Sequence, residues 1–491
     1  MSRTKKAAKR KHQNDVQADS SNKKRLNGPP SPESSDGAGR QEITALTLQA
    51  LVSEEEVDLA VETLQTLAAH PVVIKSKACR DLRTAVYDFR QACTTGVNTT
   101  ADTNLTSRIS AALVDEKYTD ALVLLAEMRL RAQSPKLGAL CRWVRDLDVT
   151  SGFSMGTNTD NIERSKSQLE RLSLLDAISR VTGTVDLNPS VSFTRSSDPF
   201  ILHAKWNLRD ETALPVPVAS DQSITRFAPP GVKDKFKVLE VTKASERRPP
   251  NLHDAVLYLS EDNAVPLSAD PPKTTHHKHP SVPNLSLMKD VLSHSECKAI
   301  VGAMETVGFL PDAPIRDDGA EASILAHNVY WIVDQAFHDS LWQRVRHFVP
   351  AEVGGRKARG INRRFRVYRY VPGAEYRVHF DGAWPPSGID PTTGKYLWDA
   401  SPAEAKQSSL FTFLVYLNDD FEGGETTFFT PSLVDGVMNA HPVRPMMGSI
   451  ALFPHGESKG ALLHEGTGVR LGAKYIIRTD VEYDVEPGRS G

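Results

Sequence analysis

Cysteine is scarce in this chain of 491 residues: Cys79, Cys93, Cys141 and Cys297 are scattered, with no C-x-x-C pair among them. Neither a disulfide framework nor a thiolate zinc site is expected, and a reducing compartment fits. No apolar run reaches the ~18 residues that a membrane-spanning helix needs. The first residues carry no apolar core, so a secretory signal is not expected and the protein reads as not secreted. The formal net charge is only −2, which leaves no global case for nucleic-acid binding. What remains is ordinary: 40% hydrophobic and 24% charged residues, as in soluble globular proteins. The length exceeds one compact domain, so two or three domains are expected.

The fold class read from the chain is multidomain α+β. Residues 1–42 are polar and poor in aromatics, and a disordered basic tail is expected there. Met1 to Arg25 holds nine Lys/Arg against Asp15 and Asp19. Lys9-Arg10-Lys11 and Lys23-Lys24-Arg25 form two basic clusters around a polar spacer, the form of a bipartite nuclear-import signal. Nucleus or cytoplasm is the expected location. Pro30-Ser31-Pro32 offers a proline-directed phosphorylation site or plain linker. Residues 43–185 read as a helical domain. Val57, Ala60, Val61, Leu64 and Leu67 recur at helical spacing, as do Cys79, Leu82, Val86 and Phe89. Interhelical core is the first account of these stripes, and a docking groove for a protein partner the second. Residues 186–283 mix short strands with Pro-rich linker: Phe200 to Trp206, Phe236 to Val241 and Ala255 to Leu259 are the candidate strands.

From 284 to 486 the pattern turns to strands. Arg364 to Tyr370 alternates, with Phe365 and Val367 on one side and Tyr368 and Tyr370 on the other. Leu410 to Leu417 and Ser449 to Phe453 are apolar runs closed by turns. Lys474 to Tyr483 alternates Tyr475, Ile477, Thr479, Val481 and Tyr483 against Lys474, Ile476, Arg478, Asp480 and Glu482. Several short strands between turns indicate a closed or double-sheet fold such as a jelly roll. His379 and Asp381 stand two apart, so an extended segment presents both to one point. With His464 from a distant strand they make a two-His-one-carboxylate facial triad, which leaves open positions and suits non-haem Fe(II).

The motifs Y-x8-H-F-D (Tyr370, His379, Phe380, Asp381), Y-L-N-D with E-G-G-E-T (Tyr416 to Thr426) and H-x9-K (His464, Lys474) carry a resemblance. This last two-fifths of the chain resembles the prolyl 4-hydroxylase-like branch of the Fe(II)/2-oxoglutarate dioxygenases. The resemblance implies a double-stranded β-helix and Fe(II) on His379, Asp381 and His464. It implies 2-oxoglutarate held by Lys474 and Tyr370, O2 as oxidant, and ascorbate as a further small molecule. Arg478, on the same side of its strand as Lys474, is the rival anchor for the far carboxylate of 2-oxoglutarate. The expected reaction is hydroxylation of a prolyl or other protein side chain. The alternative is an oxygenase-fold scaffold without turnover that recruits partners through its helices.

Other residues were weighed against the same chemistry. His455 follows a strand and reads as supporting the site rather than ligating. His441 reads as a loop residue. His276, His277 and His279 read as a solvated linker tract. Thr426 either reaches the pocket or merely fills its strand. Arg470 reads as solvent- or substrate-facing. The insert from Gly382 to Ser408, with Trp384, Tyr396 and Trp398, either contacts substrate or pins itself to the barrel. Arg363, Arg364, Arg366 and Arg369 give local positive charge that could draw an acidic substrate or a nucleic-acid backbone; pairing with Glu375, Asp419 and Asp420 is the simpler account.

Overall fold

A computed structural model describes residues 52–95, 105–147, 164–182, 199–209, 222–247, 250–315, 326–456 and 458–485. The basic tail, its two clusters and Pro30-Ser31-Pro32 lie outside the described residues. The helices are α1 (Glu54–Ala68), α2 (Pro71–Ile74), α3 (Arg80–Thr95), α4 (Leu105–Val114), α5 (Tyr118–Leu130), α6 (Leu137–Leu147), α7 (Lys166–Thr182), α8 (His294–Val307) and α9 (Gln335–Val345). The strands of the first half are β1 (Phe200–Leu202), β2 (Phe236–Thr242), β3 (Ala255–Ser260), β4 (Thr275–Lys278), β5 (Ser286–Lys289), β6 (Leu310–Pro311), β7 (Ala326–Ile332), β8 (Glu352–Val353), β9 (Arg356–Ile361) and β10 (Arg364–Tyr370). They are followed by β11 (Tyr376–His379), β12 (Gly388–Ile389), β13 (Tyr396–Leu397), β14 (Gln407–Tyr416), β15 (Glu422–Gly423) and β16 (Thr426–Pro431). Last come β17 (Met438–Val443), β18 (Ile450–Pro454), β19 (Leu463–Gly466), β20 (Val469–Leu471) and β21 (Lys474–Asp484).

Two compact units divide at Ala85/Val86, inside α3. In the first, α1 opens with a capping box. The Ser53 hydroxyl accepts from the Glu56 N–H while the Glu56 carboxylate accepts from the Ser53 N–H. None of α1's residues is buried. The interhelical core expected for its stripe is absent among the described residues, because the four-residue α2 supplies no second apolar face of matching length.

The second unit is layered. A 12-stranded sheet runs β2-β3-β7-β10-β21-β14-β18-β5-β4, with β6, β8 and β9 attached at its side; a 5-stranded sheet runs β1-β17-β16-β19-β11. Alternation sorts each strand's residues to two faces. Phe365, Val367, Phe413, Val415 and Ile477 point away from the small sheet and pack with α8 and α9, through Cys297, Ile300, Met304, Phe337 and Leu341. Tyr368, Tyr370, Leu414, Tyr416 and Ile476 point inward and meet Phe428, Phe453 and Val443 between the sheets. Ser293 caps α8 with Glu296 completing a capping box, and Gly308, at φ 107°, ends it.

The helical segment expected over 43–185 does not act as one body. Helices α4 to α7 belong to the second unit and share a core with the outer face of the small sheet. Leu125, Trp143, Leu172, Leu175 and Ile178 pack with Val378, Phe380, Phe429, Met438 and Leu463. A small sheet with one apolar outer face has to be covered, and this bundle covers it. The three strands expected within 186–283 form as β1, β2 and β3, and with β4 they extend both sheets. Strand β1 pairs parallel to β17, β3 parallel to β7, and β4 antiparallel to β5. The tract His276-His277 therefore lies in β4 rather than in a solvated linker. The His279 Nδ1 accepts from the Ser281 and Val282 N–H groups.

Helix α7 is fastened to the turn after β16 by a buried pair. The Arg180 Nε donates to Asp176 Oδ2 at 2.7 Å, and its Nη2 donates to the carbonyls of Ser432 and Val434 at 2.9 Å. Asp176 Oδ2 also accepts from the Gly436 N–H at 2.7 Å. Removing one partner strands a charge in the interior. Arg180→Met is therefore expected to cost about 3–5 kcal/mol in chemical denaturation. The double variant Asp176→Leu/Arg180→Met should recover a measurable part of that loss.

Candidate metal and co-substrate site

Strands β11 and β19 pair antiparallel with His379 directly opposite His464. The two ring centroids lie 4.3 Å apart. Alternation explains the two-faced character of this segment: His379 and Asp381 point into the barrel while Val378 and Phe380 join the helical core behind it. The same holds for His464 and Leu463. One ligand atom from each of His379, Asp381 and His464 falls within a sphere where all lie within 4.8 Å of one another. The facial triad expected from the sequence is thus assembled.

The donor chemistry fits Fe(II). His379 Nδ1 lies 2.7 Å from the Arg377 carbonyl, and His464 Nδ1 lies 3.0 Å from that of Leu462. A carbonyl only accepts, so each Nδ1 carries the proton and each Nε2 keeps its lone pair. Those Nε2 atoms face Asp381, at 3.5 Å from Oδ1 for His379 and 3.6 Å from Oδ2 for His464. Burial opposes ionisation of Asp381, but the Arg478 guanidinium beside it outweighs burial and holds the carboxyl well below the usual range. Burial pushes His464 down to about 3, so its ring is neutral. Two imidazoles with Nδ1 engaged by a carbonyl and Nε2 toward the site, and one carboxylate, are a ligand set for a borderline divalent metal.

Behind Asp381 runs a chain of hydrogen bonds that the sequence did not disclose. Thr412 Oγ1 donates to Asp381 Oδ2 at 2.6 Å. Thr412 Oγ1 is 2.7 Å from His455 Nδ1, and His455 Nε2 is 2.9 Å from Ser409 Oγ. The Trp384 N–H donates to that same Ser409 Oγ at 2.9 Å. Since Thr412 spends its proton on Asp381, His455 Nδ1 must donate to Thr412, and Nε2 must accept from Ser409. Burial pushes His455 down to about 3, which keeps it neutral as this arrangement requires. His455 supports the site without ligating, as expected. The clue to Thr412 was the alternation of β14, which puts it on one face with Leu414 and Tyr416.

Deeper in the pocket, Lys474 stands opposite Tyr370 across β21 and β10. Its Nζ donates to the Gly424 carbonyl at 2.6 Å and lies 5.6 Å from the Tyr370 ring centroid. The E-G-G-E turn makes this possible. Gly424 has φ 67°, and a Cβ there would meet the Phe421 ring at 2.8 Å and the Lys474 stem at 3.1 Å. Thr426 does line the pocket, and its Oγ1 accepts from the Tyr416 hydroxyl at 2.8 Å. Thr426's own proton is left to donate elsewhere. Arg478 is at the metal end instead: its Nε lies 3.3 Å from Asp381 Oδ1 and its Nη2 3.2 Å from Asp480 Oδ1.

Several expected placements need correction. His441 is buried in β17, with its ring stacked 4.2 Å from that of His203, because that strand lies inside the small sheet. The arginines of β10 find other acids than Glu375, Asp419 and Asp420. Arg366 pairs with Asp312, and Arg369 pairs with Glu305 at 2.9 Å. Arg363 donates to the Val333 carbonyl at 2.9 and 2.7 Å. Strand pairing, not sequence proximity, chose these partners. Arg470 is exposed.

Residues 365–479 match the sequence model of the 2OG-Fe(II) oxygenase superfamily. With the triad in place, this part of the chain is a domain of that superfamily. The family implies Fe(II), 2-oxoglutarate and O2. Among solved structures, the chain is similar to a viral collagen prolyl hydroxylase from Paramecium Bursaria Chlorella virus-1. The two are 20% identical, with 41% of this chain and 97% of that one covered, at a TM-score of 0.28. It is similar to a Pseudomonas putida prolyl-4-hydroxylase at 16% identity, 42% and 94% coverage and a TM-score of 0.25. A third is a Trichoplax adhaerens prolyl hydroxylase in complex with a hypoxia inducible factor peptide fragment, at 14% identity, 40% and 83% coverage and a TM-score of 0.26. No curated protein matches the chain.

The metal set and its support are separable by titration. His464→Ala is expected to abolish stoichiometric Co(II) or Fe(II) binding, read by absorption or metal analysis. Thr412→Val keeps all three ligands but removes the bonds to Asp381 and His455, and is expected to weaken metal affinity by roughly 10–100-fold.

Proposed function

We propose that the domain is an active iron- and 2-oxoglutarate-dependent dioxygenase that hydroxylates a side chain of a protein, a prolyl residue first among the candidates. The observation that carries this reading is one pocket holding both halves of the requirement. His379, Asp381 and His464 converge at one end, and Lys474, Tyr370 and Thr426 stand at the other. When bound, Fe(II) and 2-oxoglutarate supply oxidative decarboxylation to succinate and CO2, coupled to insertion of one oxygen atom of O2 into a substrate C–H bond.

The chain's own residues do the holding. His379, Asp381 and His464 would hold the metal, and a set of three protein ligands would leave it open to the 2-oxo acid end and to O2. Lys474 meets the far carboxylate as a buried point charge, with the Thr426 and Tyr370 hydroxyls as donors beside it. Arg478 is spent on Asp381 and Asp480, which favours Lys474 as the anchor. The protein-substrate part rests on the motif resemblance to the prolyl 4-hydroxylase-like branch. A scaffold without turnover has no need of an intact ligand set, tautomer-setting carbonyls and a buried cation together. Ascorbate enters as a reductant of the metal in this reading, and nuclear import rests on the two basic clusters of the tail.

The cation sets a pH dependence. Burial pushes Lys474 down to about 8, against the opposing field of Glu425. The charge is present below that pH and is lost as pH rises through it. Affinity for 2-oxoglutarate is therefore expected to be highest below about pH 8 and to fall above it, while metal affinity does not follow that step. Lys474→Ala should raise the 2-oxoglutarate concentration needed for half-maximal succinate formation by at least about tenfold. If Arg478→Ala alone shows that effect, the anchor is misassigned. For location, replacing Lys23, Lys24 and Arg25 by alanine is expected to move a fluorescent fusion of the full chain from nucleus toward cytosol.

A further inference from the structure

The four arginines of the segment Arg363 to Arg369 end differently. Three terminate on a carboxylate or a carbonyl: Arg363 on Val333, Arg366 on Asp312 and Arg369 on Glu305. Arg364 terminates on rings. Its guanidinium carbon lies 5.1 Å from the Tyr330 ring centroid, 5.0 Å from Trp384 and 6.0 Å from Trp398. Its Nε is buried with no hydrogen-bond partner, as are those of Arg366 and Arg369, but unlike theirs its guanidinium makes no ion pair among the described residues. Ring faces hold a guanidinium flat but accept none of its in-plane protons. Leaving such donors unmet is costly unless something arrives to meet them.

The cage is fixed in place. The Trp384 backbone exchanges two bonds with Ser409, N–H to Oγ and carbonyl to N–H, each at 2.9 Å. Trp384 and Trp398 pack at 4.6 Å, and the β12–β13 hairpin that precedes Trp398 is closed by its own ladder. Trp398 is half exposed, so the cage opens to solvent.

Its position relative to the metal is set by register. Arg366 pairs across from Arg478, whose Nε contacts Asp381. Arg364 is two residues further along β10 on the same face, beside Asp480, two residues along β21. Two residues of strand are about 7 Å, and an extended peptide advances about 3.3 Å per residue. A peptide with its target residue at the metal thus places a residue two or three positions away at the cage.

We propose that Arg364, held by Tyr330, Trp384 and Trp398, is a substrate-binding residue that reads an acidic side chain two or three residues from the hydroxylated residue of the protein substrate. This rests on the reading of the domain as a protein hydroxylase. A carboxylate takes two parallel N–H bonds from the free edge of the guanidinium, while the rings supply the walls.

The test uses the full chain with Fe(II) and 2-oxoglutarate on a positional library of synthetic peptides carrying a central proline. Hydroxylation is read by mass spectrometry and succinate release. Peptides with Asp or Glu at the second or third position on one side are expected to exceed their Asn or Gln counterparts by at least about tenfold in kcat/KM, carried mainly by KM. Arg364→Gln should erase that ratio, and Arg364→Glu should reverse it toward Lys-bearing peptides. An equal response to Asp and Asn peptides overturns the proposal. So does a uniform loss on all peptides in Arg364→Gln, which marks a mere brace for the rings. If 2-oxoglutarate is consumed with an oligonucleotide substrate and no peptide is hydroxylated, the protein-hydroxylase reading falls and takes this assignment with it.

Discussion

A carboxylate held out of water beside two imidazoles sets the terms for much of the second unit. Asp381 has to stay ionised to bind a metal, and burial alone would push it toward the neutral form. The surrounding structure answers with a donor, Thr412, and a cation, Arg478. Arg478 in turn is neutralised by Asp480, and Asp480 feels the field of Arg364. The inner face of the large sheet thus carries a row of alternating charge that starts at the metal site. Arg364 lies beside that row against aromatic rings, and the next residue on that side of β21 is the buried Glu482. Each charge in such a row is tolerable only because its neighbour is present, so the row behaves as one element.

The ligand strand is two-faced, and that gives the helical bundle its place. Val378 and Phe380 alternate with His379 and Asp381, so the apolar side of the strand needs cover. Helices α4 to α7 provide it, and α7 is locked to the turn after β16 by the Asp176–Arg180 pair. Packing at interior density leaves little room for a ligand strand to shift without disturbing the bundle. The bundle is therefore physically continuous with the metal site, though none of its residues is a ligand. Cys141 of α6 makes the point: its Sγ lies 3.6 Å from the Phe380 carbonyl, one residue before Asp381.

The hydrogen-bond chain from Asp381 through Thr412, His455 and Ser409 to Trp384 links the metal ligand to the wall of the aromatic cage. It fixes protonation as well as position, since each oxygen or nitrogen has one role left once its neighbour's is set. The loop that carries Trp384 is thereby braced against β14. Of the insert's two aromatic ends, Trp384 is pinned to the barrel through its backbone, and Trp398 is half exposed.

Local information was enough for a definite part of this. Alternation in β10 and β21 and the apolar run of β14 identified the strands, because a pleat has period two whatever it pairs with. The spacing of His379 and Asp381 announced a shared face, and the E-G-G-E stretch announced a turn. What lay beyond local information was every relation between strands. The pairing of His379 with His464 and the bond from Thr412 to Asp381 join residues 85 and 31 positions apart. The choice of Asp312 and Glu305 for Arg366 and Arg369 likewise spans more than 50 positions. His441 and the His276 tract were misplaced for the same reason: a histidine's burial depends on what packs over it. The helical stripes read alike from α1 to α7, yet α1 buries nothing while α6 packs against the ligand strand. Periodicity specifies that a face is apolar; only the tertiary structure decides which surface, if any, it meets.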